Sequence, residues 1–259
     1  MNTPVKTFPD EKNTTRPEGP VIVVENLCKR FGDNVVLRDF NLTINKEENV
    51  VVLGRSGSGK SVLIKCIIGL LKPDSGNIKV FGENVPELNH DDLDRIRARI
   101  GFLFQGNALY DSMTVRENLE FPMRRHWINF SQKDVDDLVM EALENVGLVH
   151  TVDMMPEELS GGMLKRIALA RTMILKPDVI LYDEPTTGLD PVTAREIDNL
   201  ILKLKKKYRT SSIIITHDMN CVKNTADRVA LLLEGKCYAE SNYAEFEHST
   251  DKNIRQFFE

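Results

Sequence analysis

The stretch that most restricts the fold is Gly54-Arg-Ser-Gly-Ser-Gly-Lys60-Ser61, set between a β-branched run at 50–53 and a helix-like run at 60–68 that stops at Gly69. Strand, glycine loop and helix in that order form a unit that lays a helix back onto a parallel sheet, so an α/β architecture is expected. Gly57 and Gly59 carry no side chain, so backbone N–H groups can converge on phosphate oxygens at the positive end of the following helix. The spacing is that of the phosphate loop, G-x-x-x-x-G-K-[ST]. Lys60 supplies a point charge for β and γ phosphates, and the Ser61 hydroxyl suits Mg²⁺. With Arg55, Ser56, Ser58 and Val62 completing the loop and its exit, the expected ligand is ATP with Mg²⁺.

The rest of the chain fits around this unit. Strands are expected at 21–27, 35–37, 40–44, 78–81 and 100–104, the early ones with the short polar breaks of antiparallel pairs, and a charged helix near 91–99. From 113 to about 175 strand signals vanish, and Val135, Leu138, Val139, Ala142, Leu143 and Val146 recur at helical spacing. A helical subdomain inserted into the α/β core is predicted there. Alternation then resumes with strand 179–182, helix 192–208, strand 212–216, helix 219–224 and strand 229–233, the rhythm of a mostly parallel sheet. Residues 1–20 are polar and proline-rich and read as a disordered tail, 21–242 as the main domain, and 243–259 as a short C-terminal helix or tail.

Bulk properties exclude some function classes. At 259 residues with net charge −5, the chain has no sequence-wide attraction for nucleic acid or anionic lipid. No apolar run approaches the roughly 20 residues of a membrane span, so a role at a membrane requires a partner. Cys28, Cys66, Cys221 and Cys237 lack metal-ligand spacing and read as reduced thiols.

A second half-site lies at 179–184, where an apolar strand delivers Asp183 and Glu184 at its C-terminal end, the edge at which open α/β sheets bind ligands. Asp183 suits magnesium through water, and Glu184 suits polarisation of an attacking water. Leu159-Ser160-Gly161-Gly162-Met163 precedes a helix at 164–175: Ser160 is a good N-cap, and two glycines expose N–H groups at a positive helix end. Alone this is a capped helix; about twenty residues before the paired carboxylates, it resembles the signature of ATP-binding-cassette (ABC) ATPases.

The resemblance covers about residues 21–240 in unbroken order and implies an ABC-type phosphate-loop NTPase with an antiparallel β subdomain. It implies that Phe31 stacks on adenine, although a core Phe remains the competing reading. It further implies that Gln105 reaches metal and lytic water, that Asp190 in Gly188-Leu-Asp190 links two active sites, and that His217 contacts the γ-phosphate. In that family Ser160, Gly161 and Gly162 of one copy cover the nucleotide held by another, which implies a homodimer. Met163 stands where most of the family has Gln, which puts one side-chain contact to the opposing sugar in doubt.

The stretch Gln105-Gly-Asn-Ala-Leu-Tyr-Asp-Ser-Met-Thr-Val-Arg-Glu-Asn-Leu-Glu-Phe-Pro122, the variant signature and the ending Ile254-Arg-Gln-Phe-Phe258 are similar to ATPases of bacterial phospholipid-trafficking (Mla, or Mce-type) transporters. That resemblance implies a multispanning permease and an Mce-domain lipid-binding protein as partners, at the cytoplasmic face of the inner membrane. It also implies docking of Phe257 and Phe258 on a neighbouring ATPase subunit, with folding onto their own core as the alternative. A different importer or exporter, for lipoprotein release or small-solute uptake, is the alternative function. Arg124, Arg125, His126 and Trp127 read as a solvated helix face, with contact to a permease or lipid headgroups as the alternative, and the run Lys203–Arg209 as a complement to its own helix end.

Overall fold

A computed structural model of the chain describes residues 19–125 and 131–258, so most of the tail expected at 1–20, and the pair His126 and Trp127, fall outside the described residues. The first half comprises β1 (Ile22–Phe31), β2 (Asn34–Ile44), β3 (Asn49–Leu53), α1 (Lys60–Ile67), β4 (Ser75–Val80), β5 (Glu83–Asn84), α2 (His90–Arg97) and β6 (Ile100–Leu103). Then come α3 (Val115–Arg125), α4 (Gln132–Val146) and α5 (Gly161–Met173). The chain continues through β7 (Val179–Asp183), α6 (Pro191–Tyr208), β8 (Ser211–Thr216), α7 (Met219–Thr225), β9 (Arg228–Leu233), β10 (Lys236–Ser241), α8 (Tyr243–Glu247) and α9 (Lys252–Arg255).

Among the described residues, 19–105 and 178–258 form one compact unit, and those between 106 and 177 another. The larger unit holds two sheets. One is antiparallel in the order β2-β1-β4-β5; the other runs β10-β9-β3-β8-β7-β6, parallel except for β10. β3 and β8 are buried at every position. That explains the apolar runs Val50–Leu53 and Ile213–Ile215 within them, since a strand covered on both faces has no solvent side to alternate toward. Ile22, Leu37 and Phe40 of the antiparallel sheet pack in the same core as Val50, Leu63, Ile64 and Ile213.

Register determines what meets at the top of the sheet. Leu53 pairs with Thr216, and Asp183 with Ile215, so the chain leaves β3, β7 and β8 at adjacent points. The phosphate loop, Glu184 and His217 therefore begin side by side at the carboxyl edge.

The fold departs from the sequence reading in several places. The expected strands 35–37 and 40–44 are one strand, β2, whose polar break is a bulge: Leu27 pairs with Phe40 but Lys29 with Leu37, and Asp39 sits at φ 46°. β10 was not anticipated; its residues alternate exposed and half-buried, and it joins β9 through Glu234 and Gly235, both at positive φ as a tight hairpin turn needs. The single C-terminal helix is two short helices, N-capped by Asn242 and Asp251. The basic run 203–209 reaches beyond its helix end: Lys205 pairs with Asp227, and Arg209 with Glu47 at 2.8 Å. Cys66 and Cys221 are buried, Cys28 and Cys237 partly so, and all four thiols are free.

In the helical unit, α4 carries a capping box between Ser131 and Asp134 and ends at Gly147 in the left-handed region (φ 73°). It packs against α5 and buries Val139, Ala142, Leu143 and Val146. Among the described residues no helix is long and apolar enough to cross a membrane.

Candidate functional site

The loop after β3 is shaped by its glycines. Gly59, the N-cap of α1, sits at φ 106°, and a Cβ there would lie 2.8 Å from Val36 Cγ1. Gly57, at φ 77°, faces open space where a Cβ would meet nothing. The Lys60 ammonium donates to the carbonyls of Gly54 (2.7 Å) and Arg55 (3.1 Å) and lies 3.6 Å from Glu184. Burial pulls its pKa below the ordinary lysine value, while Glu184 and Asp183 work the other way.

Two carboxylates close the other side. Ser61 Oγ donates to Asp183 Oδ1 at 3.3 Å, and burial lifts the Asp183 carboxyl above its ordinary value despite that bond. Glu184 is 8 % exposed and left-handed, at φ 50°, yet its N–H still bonds Ile215 O at 2.9 Å as a continuation of the ladder. Its carboxylate is 3.0 Å from His217 Nδ1 and accepts from Thr187 Oγ1 at 3.2 Å. Thr187 was not picked out from the sequence; its spacing of three from Glu184 was the available signal.

The structure thus brings Gly54, Arg55, Ser56, Gly57, Ser58, Gly59, Lys60, Ser61, Asp183, Glu184 and His217 to one edge, with Val62 turned against the core. Phe31 ends β1 as an exposed residue (49 %), with Lys29 Nζ 5.5 Å from its ring centroid. Gln105 is exposed two residues beyond β6. Asp190 caps α6, accepting from Val192 N (3.0 Å) and Thr193 N (3.1 Å), and the Thr193 bonds hold its carboxyl below the usual range. Ser160, Gly161 and Gly162 lie in the helical unit, where Ser160 Oγ caps α5 by accepting from Met163 N at 3.3 Å.

The donor set fits a magnesium–triphosphate ligand. Gly57 faces open space at the loop, where backbone N–H groups can meet phosphate oxygens. The Ser61 hydroxyl and the desolvated Asp183 carboxylate together offer hard oxygen donors of the kind Mg²⁺ selects.

Comparison with known proteins places this geometry among relatives. The family described as "ABC transporter" matches residues 37–187. The chain is 37% identical over 237 residues to the intermembrane phospholipid transport system ATP-binding protein MlaF of Haemophilus influenzae, covering 92% of this chain and 89% of that protein. It is 40% identical over 216 residues to the probable ribonucleotide transport ATP-binding protein mkl of Mycobacterium leprae, covering 83% of this chain and 62% of that one. A solved dimeric ATP-binding cassette in a post-hydrolysis state, bound to ADP and Pi, matches with TM-score 0.77 and 31% identity, covering 86% of this chain and 98% of that chain.

Proposed function

This chain belongs to the ABC transporter family, and on that premise we propose that it is the energy-coupling ATPase of a transporter that moves phospholipids between bacterial membranes. ATP binding and hydrolysis come with the family. The single observation that supports the catalytic reading is the Glu184 carboxylate, held between Lys60 at 3.6 Å and His217 at 3.0 Å beside the phosphate loop.

In this reading Lys60 and the loop N–H groups bind the β and γ phosphates, and Phe31 stacks on the base. Ser61, Asp183 and Gln105 would hold Mg²⁺, which when bound supplies neutralisation of phosphate charge. Glu184 accepts a proton from the attacking water, and His217 fixes the carboxylate that does so while presenting its other nitrogen to the γ-phosphate. Ser160, Gly161, Gly162 and Asp190 act on the nucleotide of a second copy, so closure of a homodimer completes two sites. Ser160→Arg therefore retains ATP binding and loses hydrolysis; mixed with a Glu184→Gln chain, which keeps a sound signature, it regains part of the turnover. No recovery on mixing would refute a site completed in trans.

The lipid assignment rests on the relative named for phospholipid transport, which spans nearly all of this chain. The partners are a multispanning permease and an Mce-domain protein, with the ATPase at the cytoplasmic face of the inner membrane. The mycobacterial relative named for ribonucleotide transport supports a second reading, transport of a small solute. Purification of the complex decides: a permease with an Mce-domain protein supports the first, and a permease with a soluble binding protein replaces it.

A further inference from the structure

The phosphate loop is touched from far along the chain. Arg55 Nη2 donates to Gln256 Oε1, on the turn that ends α9, across 201 positions of sequence. Gln256 Nε2 donates to Asn253 O at 2.6 Å, which orients the amide and leaves its oxygen toward the guanidinium. The reversed amide would point donors at a group that cannot accept, so the orientation is chemically determined.

α9 is itself anchored. Asp251 caps it, accepting from Asn253 N (2.7 Å) and Ile254 N (3.3 Å), and also accepts from Tyr238 Oη at 2.8 Å. Asn253 Nδ2 donates to the same Tyr238 oxygen at 3.1 Å, and Ile254 is buried. Tyr238 belongs to β10, which pairs with β9, which pairs with β3, the strand that delivers the loop. The path from β3 through β9, β10, Tyr238, α9 and Gln256 to Arg55 is therefore a closed ring. Arg55 is well placed to pass this restraint on, since its carbonyl accepts from both Ser58 N (3.1 Å) and Lys60 Nζ (3.1 Å).

We infer that Gln256 is a positioning residue for nucleotide binding: α9 braces Arg55, and through its carbonyl the loop that presents Lys60, in the same chain. The inference rests on the reading that residues 54–61 hold ATP. It also gives the C-terminal segment a role within its own subunit, where the Phe258 ring packs at a tilt against Tyr243, centroids 5.9 Å apart.

The test is ATP titration and steady-state kinetics on the full chain with Gln256→Ala, Arg55→Ala, the double variant and Gln256→Glu. An exposed charge-assisted hydrogen bond predicts a rise of about threefold in Kd and KM for Gln256→Ala, with kcat and melting temperature unchanged. Arg55→Ala, a change within the loop itself, weakens ATP binding at least as much, the double variant is no worse than Arg55→Ala alone, and Gln256→Glu, which keeps an acceptor, binds at least as tightly as the parent. Unaltered affinity in Gln256→Ala, additive single effects, or a loss of affinity that tracks a lower melting temperature would each overturn the brace. Failure of the parent chain to bind ATP would overturn the underlying site instead.

Discussion

Replacing Glu184 by Gln separates binding from chemistry. Glutamine keeps the shape of the side chain and an acceptor for Thr187 Oγ1, so the local packing persists. What it removes is a charge 3.6 Å from Lys60, an attraction of about 4–5 kcal/mol at an effective dielectric of about 20. An ammonium released from that attraction is freer to engage phosphate, so ATP affinity holds or improves. The same substitution removes the group that accepts the proton, and loss of a general base lowers kcat by roughly 10²–10⁴, about 2.7–5.5 kcal/mol in the barrier. Calorimetric titration reads the first quantity, and continuous phosphate release the second. Light scattering after size exclusion adds a third, because the stalled chain accumulates as a dimer with ATP and not with ADP. A variant that retains turnover within tenfold of the parent would remove Glu184 as the base. One that loses affinity along with rate would show that the Lys60–Glu184 contact organises the loop instead of competing with phosphate.

Asp183 carries a cost of burial that neutralisation relieves. Burial lifts its folded-state pKa above the ordinary aspartate value, so the folded protein binds this proton more readily than the unfolded one, and the site adds stability as pH falls through that interval. At neutral pH the ionised group is a burden; Asp183→Asn should raise the melting temperature of the ligand-free protein most at neutral pH and little in acid, so that its acid limb is steeper than the parent's, and should abolish the extra stabilisation that Mg²⁺ adds to ATP. A lower melting temperature in Asp183→Asn would contradict the sign. Gly76→Ala tests the antiparallel sheet: Gly76 sits at φ 93°, and a Cβ would lie 2.5 Å from Asn26 O, a backbone atom that has little room to give. Strain and clash of about 3 kcal/mol correspond to a fall of roughly 6–12 °C in melting temperature, with KM for ATP unchanged at low temperature; an undisturbed melting curve would mean that β1 shifts without cost.

The parts of this fold that were legible in the sequence are those whose signals are local. β3 and β8 are buried throughout, and burial on both faces writes itself as the apolar runs at 50–53 and 213–215. The phosphate loop is contiguous, so its glycine pattern and flanking elements can be read together. Asp183 and Glu184 followed from their place after such a run. β10 escaped because a half-exposed edge strand pairs through its backbone, which residue type barely records. The bulge in β2 looked like a break because Asp39 is a turn former. Pairings between distant residues leave no periodic trace at all: nothing in the run at 203–209 points to Asp227 or Glu47 as partners. Convergence of Gly54, Glu184 and His217 depends on register between β3, β7 and β8, which a single sequence does not encode in any window.

The left-handed backbone at Glu184 has a different standing from the others in the larger unit. Asn26 and Asp39 lie at the register shifts of β1 and β2, Glu47 in the turn before β3, Phe81 before Gly82 and Glu234 before Gly235 in tight turns, while Arg209 ends α6 in the usual C-terminal geometry. Glu184 instead follows β7 directly and keeps a ladder bond, so no turn requires its conformation. A non-glycine residue there costs about 1–2 kcal/mol, and glycine would avoid the cost while offering no carboxylate. The strain is tolerated at the one position where the side chain is aimed at Lys60 and His217. Comparing Glu184→Ala with Glu184→Gly isolates it, because both lose the carboxylate and only glycine relieves the backbone. Glycine should then be the more stable of the two by about 1 kcal/mol, roughly 2–4 °C in melting temperature. Elsewhere in a strand alanine wins by about 0.5–1 kcal/mol; an alanine variant that keeps that advantage over the glycine one would mean that no strain is held at Glu184.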